Sequence, residues 1–261
     1  MFKYSATVGC GMKLETKVFW VLFTLSLLSA ILILPYVLTL ESSVLSETQL
    51  SLSVIVLFSI LQSAVVFCIA VFFGNILSRK VGFGVPLIES WFTGRRIRYG
   101  RTALLSIVSG IIVGIVIFIL DRYAFPVFPV LSAVQPPLWQ GFLASFYGGI
   151  AEEVLMRFFL MSLVVFIIAR VAGKKRPGPY AVWFSILFVA VIFGLGHLPI
   201  TSAITQITGL VVVRAVVLNG IGGLLFGWLY WKKGLEAAII AHFSADIVLH
   251  FLVPLIGLLA A

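Results

Sequence analysis

At 261 residues the chain is long enough for one or two soluble domains, but 62% of it is hydrophobic and only 10% is charged. Soluble globular proteins carry roughly 45–50% and about 25%, and exposed apolar patches beyond a few hundred Å² drive association. Two cysteines, Cys10 and Cys68, are too few for a disulfide scaffold. One lies in the N-terminal tail and the other inside an apolar run, so no bridge between them is expected. The chain reads as an all-α, polytopic transmembrane helix bundle.

Seven apolar stretches are long enough to span a bilayer core, which takes about 20 helical residues. In chain order they are Val18 to Leu40, Leu52 to Leu77, Thr102 to Leu120, Gln140 to Arg170, Ala181 to Leu198, Gln206 to Trp231 and Leu235 to Ala260. The first is expected to stay as an anchor, because no convincing cleavage site follows it. The stretch from Val81 to Gly100 mixes aromatic residues with arginines and reads as an interfacial segment near anionic headgroups, or as a solvated loop. The fourth run, 31 residues long, exceeds one straight crossing. It is expected to tilt, kink or break at Gly148 and Gly149, a break giving eight spans. Pro199 is expected to stop the fifth. Residues 1–139 read as three packing spans with a basic loop, and residues 140–261 as the half that carries chemistry.

Fifteen of the 18 Lys and Arg residues fall on alternate connections: the N-terminal tail from Lys3, the second connection with Arg95, Arg96, Arg98 and Arg101, the fourth and the sixth. By the positive-inside rule the N-terminus is cytoplasmic and the C-terminus outside. The net charge of +9 is therefore a topology signal, and a nucleic-acid partner is not expected. The expected partners are membrane lipids and a peptide or protein substrate.

Within the spans the ionisable residues are Glu152, Glu153, Arg157, His197, Arg214, His242, Asp246 and His250. A charge near the bilayer centre costs at least ~2.5–3.5 kcal/mol, so each is a functional hypothesis. Glu153 and Arg157, four apart, share a helix face and can pair. Glu152 points about 100° away and is free to face a cavity. His242, Asp246 and His250 form a stripe on which Asp246 can fix the tautomer of either imidazole. His250 is expected near the outer interface, and Arg214 to satisfy carbonyls or pair with Asp246. The phenylalanines of spans four and five are expected to be core or lipid-facing. A carboxylate and two histidines inside one bundle suffice to activate water, as a general base or through a metal.

Three of these segments carry a resemblance. Glu152-Glu153-Val-Leu-Met-Arg157 resembles the EExxxR motif of the CPBP family, which includes type II CAAX prenyl proteases and abortive-infection or bacteriocin-immunity proteins. Phe193-Gly-Leu-Gly-His197 is similar to its FxxxH motif, and Leu225 to His242 to the glycine-anchored turn before its last motif histidine. The resemblance implies an intramembrane endopeptidase acting on a membrane-embedded or prenylated substrate. In it Glu152 and His197 activate water, Glu153 pairs with Arg157, and His242 with the residue four later supports the oxyanion or a metal. A zinc held among Glu152, His197, His242 and Asp246 and a metal-free glutamate mechanism are both open.

The usual HxxxN motif ends here in Asp246, and an ionised carboxylate accepts hydrogen bonds but does not donate them. That favours histidine orientation or metal ligation. Asn219 is the candidate for a further polar position. At ~1.5 Å per residue His197 sits ~24 Å up its span and His242 ~11 Å up its own, so the two meet only if the spans are offset. Alternative readings are a non-enzymatic immunity or regulatory scaffold and a proton-coupled transporter, though no repeated half with matching broken helices supports the latter.

Overall fold

The computed structural model describes residues 12–125 and 135–260; Lys3 and Cys10 lie outside them. Backbone polar groups find no water in a bilayer core and must be satisfied within the segment, so each apolar run becomes a helix. The long helices are α1 (Leu14–Leu40), α3 (Leu52–Val81), α5 (Gly100–Ala124), α8 (Pro179–Gly196) and α10 (Gly209–Lys233). Shorter ones are α2 (Ser42–Ser46), α4 (Pro86–Thr93) and α9 (Leu198–Ser202). The fourth span joins α6 (Leu138–Phe146) to α7 (Ser162–Val171) through π-helical turns at Tyr147–Glu152 and Val154–Met161. The last joins α11 (Leu235–Ile247) to α12 (Val253–Ala260) through a π-helical turn at Val248–Leu252. Among the described residues seven helices are long and apolar enough to cross a membrane.

The fourth span does not break into two. It runs as one helix of 34 residues, Leu138–Val171, and the π-helical turns absorb the irregularity expected at Gly148 and Gly149. Such turns shift the register of side chains along a helix and recur at functional sites. The fifth span also differs at its end. Helix α8 closes at Gly196, His197 stands at the junction, and Pro199 sits in the first turn of α9 instead of terminating α8. That is a position where a missing N–H costs nothing.

Close helix contacts build the bundle. Gly110 and Gly114 on α5 lie four apart, and a Cβ on Gly110 would overlap the Ala241 carbonyl of α11. This is the close approach that paired small residues allow between membrane helices. On α8, a Cβ at Gly194 would lie 2.5 Å from the Val216 Cα of α10. The inner face buries Val154, Phe158, Val165, Ile186, Phe226, Leu229 and Ala241. Outward-facing side chains such as Phe58, Leu61 and Leu104 stay exposed, as a lipid-facing surface requires. Among the described residues Cys68 is free and exposed.

Arg214 does not reach Asp246. Its Nε and Nη2 donate to the two Asp121 carboxylate oxygens at 2.6 and 2.8 Å, joining α10 to the end of α5. Asp121 lies just past the third apolar run, 93 positions before Arg214, so no local spacing pairs the two. Asn219 Nδ2 donates to the Ala215 carbonyl one turn back, at 2.9 Å.

Candidate active site

The π-helical turns present both glutamates of the fourth span to one histidine of the seventh. Glu153 is fully buried; its Oε1 accepts from His242 Nδ1 at 2.8 Å and forms an ion pair with Arg157 Nη1 at 3.0 Å. Glu152 approaches the other side of the ring, with Oε2 at 3.8 Å from His242 Nε2. Asp246 Oδ1 lies 3.6 Å from the same nitrogen. Carboxylate oxygens thus face both ring nitrogens, and only a doubly protonated ring donates from both. Glu152 keeps 22% of its side chain exposed, against 6% for His242, so it is the acid of the pair open to a substrate or water.

Orientation of the His242 ring falls to Glu153, not to Asp246, because Glu153 is the group in hydrogen-bond contact with Nδ1. The physical reason is register: the π-helical turns bring adjacent glutamates to opposite edges of one imidazole. Arg157, 1% exposed, holds Glu153 from behind. Its guanidinium lies over Phe193 at 4.7 Å and over Phe226 at 5.5 Å, an aromatic cage that helps a buried cation with few hydrogen bonds. Phe226 stacks on His242 with ring centroids 4.5 Å apart. Phe193, grouped with the phenylalanines of span five expected to be core or lipid-facing, forms a wall of this cluster together with Phe226 of the sixth span.

His197 and Glu152 are not brought into contact: no ion pair or hydrogen bond joins them among the described residues. His197 Nδ1 donates to the Phe193 carbonyl at 2.8 Å. The Phe193 ring lies edge-on between the two imidazoles, 4.8 Å from His197 and 5.7 Å from His242. Both imidazoles thus contact the same phenyl ring. His250 turns away from Asp246 toward α1, with Nδ1 3.5 Å from the Tyr36 hydroxyl, so the first span is not chemically blank on this side.

Among the described residues no group of three or more His, Cys, Asp or Glu side chains is placed to hold a metal ion. Glu152 and Asp246 both lie near His242 Nε2, while the Nδ1 of His197 is taken up by the Phe193 carbonyl.

Two residues have places at the site that the sequence reading did not assign to them. Gly148 is needed for space, because a Cβ there would overlap Asp246 Oδ2 and lie 3.3 Å from His242 Nε2. Glu236, the second residue of α11, is buried, and its Oε1 accepts the Ile88 amide at 2.9 Å at the start of α4. Its charge inside the seventh run was the available signal. Beside the cluster a cleft of about 460 Å³ is lined by side chains that include Ile107, Ile111, Phe146, Ile150, Phe243 and Ile247, almost wholly apolar.

Residues 133–248 match the family model described as type II CAAX prenyl endopeptidase Rce1-like. Neither a curated protein nor a solved structure gives a significant match to the chain. The matched segment contains Glu152, Glu153, Arg157, His197, His242 and Asp246 together with the helices that hold them. This match supports assigning the segment, from the fourth span into the seventh, to the CPBP family of CAAX-type membrane proteases.

Proposed function

We propose that the protein is an intramembrane endopeptidase that hydrolyses a peptide bond of a membrane-embedded or lipidated substrate, with Glu152 as general base. The observation that carries this reading is one imidazole held between two glutamates, the buried one fixed by Arg157 and the other open. In the proposed reaction Glu152 takes a proton from water while the water oxygen attacks the scissile carbonyl carbon. His242, oriented by Glu153 through Nδ1, donates from Nε2 to the oxyanion as it forms. The proton on Glu152 then passes to the leaving nitrogen as the C–N bond breaks. Asp246 steadies the charged His242 ring, a role an acceptor-only group can fill where an oxyanion donor role is closed to it. His197, with Nδ1 occupied, presents Nε2 to the far side of the substrate.

Residues 140–261 carry the chemistry in this reading, and residues 1–139 pack around them, with the N-terminus cytoplasmic. The apolar cleft beside Ile150 and Phe243 suits the lipid chain of a prenylated or acylated peptide. The test uses proteoliposomes and a quenched-fluorescence peptide ending in a CaaX sequence, in farnesylated and unmodified copies, with products located by mass spectrometry. Wild-type protein is expected to cleave, and Glu152→Gln to lose at least about a hundredfold in rate with its helix content unchanged. Turnover retained in Glu152→Gln would remove Glu152 as the base.

A further inference from the structure

We propose that α4 and the arginines that follow it form a docking surface for the headgroups of anionic phospholipids. The helix sits at the end of the bundle where α1, α5 and α11 begin and α3 ends, and it is held there on every inward side. Glu236 Oε1 accepts from the Ile88 amide at 2.9 Å, and the Leu235 amide donates to the Gly84 carbonyl at 3.1 Å. Gly234, at φ 101°, lets the Pro86 ring pack against it where a side chain would collide. Arg79 ties the segment to α1 through Glu15 at 2.7 Å and to Glu89 at 3.5 Å, and Lys17 lies 5.3 Å from the Phe92 ring centroid.

The outward side is of a different kind. Trp91 is 86% exposed, and Leu87, one turn before it on the same face, is also exposed. Arg95, Arg96, Arg98 and Arg101 follow on exposed backbone. Between Pro86 and Arg101 the one acid is Glu89, and it turns inward to Arg79. A rigidly held helix therefore presents an indole, followed by exposed Arg96, Arg98 and Arg101, on a stretch whose one acid is turned inward. Trp belongs at the headgroup level of a bilayer, and each Arg near an anionic surface contributes about 1 kcal/mol, roughly fivefold in affinity. The occupant that fits is the bilayer itself, because the indole and the arginines lie at the rim where membrane helices end. Glu236 opens the helix that bears His242 and Asp246, so this surface is joined directly to the catalytic half.

The experiment compares full-length protein in vesicles containing brominated phosphatidylglycerol or brominated phosphatidylcholine. The Trp91 signal is taken as the difference from Trp91→Phe. Stronger quenching by the brominated anionic lipid is expected. That preference should fall roughly fivefold per arginine in Arg95→Gln, Arg96→Gln and Arg98→Gln combined. A control altering the other exposed cluster, Lys174→Gln, Lys175→Gln and Arg176→Gln, should keep it. Equal quenching by both lipids in the wild type overturns the proposal without any variant. So does loss of the preference in both combined variants alike, which would leave the charge as a topology signal only. A Trp91 signal that ignores both lipids and responds to added polyglutamate or RNA would assign the surface to a soluble polyanion.

Discussion

At the scale of single residues, the site depends on an absent side chain as much as on those present. Gly148 leaves the space in which Asp246 Oδ2 and His242 Nε2 lie. In Gly148→Ala the new methyl must displace the carboxylate or separate α11 from the fourth span. Overpacking of this kind costs roughly 1–3 kcal/mol. The expected outcome is a lower thermal midpoint in detergent, together with loss of peptide turnover that Glu152 alone cannot restore. An unchanged midpoint with full turnover would mean that Asp246 moves freely and is not held at its place. The pairing of Glu153 with Arg157 was legible from spacing alone. Which group orients His242 was not, because that depends on a residue 89 positions away in the sequence.

At the scale of elements, the decisive contact is α5 against α11. Gly110 and Gly114 let the α5 backbone reach Ala241 and Ala245, the residues just before His242 and Asp246. Gly110→Ala places a Cβ onto a backbone carbonyl, which cannot swing aside as a side-chain end can. We expect about 1–3 kcal/mol of destabilisation and a fall in turnover, read by thermal unfolding and by the same peptide assay. Gly220→Ala, where nothing stands within 4 Å of the added carbon, should leave both unchanged. Equal effects at the two positions would point to helix propensity and not to packing. The π-helical turns belong to this scale too. An overlong apolar run announced an irregularity, but whether it would break, kink or widen depended on what packed against it.

For the whole molecule, seven spans and one strongly basic end define the architecture, and a few polar bridges fix helices that lipid cannot drive together. The Arg214–Asp121 bridge joins α10 to α5, its two side chains 23% and 38% exposed. Partial exposure keeps its worth small, roughly 1 kcal/mol. Either Asp121→Asn or Arg214→Gln should lower the thermal midpoint slightly, and the two changes together should cost less than their sum. Strict additivity would show that the bridge contributes nothing to the assembled bundle.

The sequence by itself determined the solvent, the number of crossings and the identity of most charged residues that must meet inside the bundle. Those follow from local quantities, run length, charge placement and short spacing, because the bilayer penalises every unsatisfied backbone group and every stray charge. Only the tertiary structure decided who meets whom. It set Glu153 rather than Asp246 on His242 Nδ1, sent Arg214 to Asp121, and placed Phe193 between the two histidines. These partners lie on different helices, and their meeting is governed by how closely backbones approach at glycines and by the register shift of the π-helical turns. Neither property is encoded within any single span.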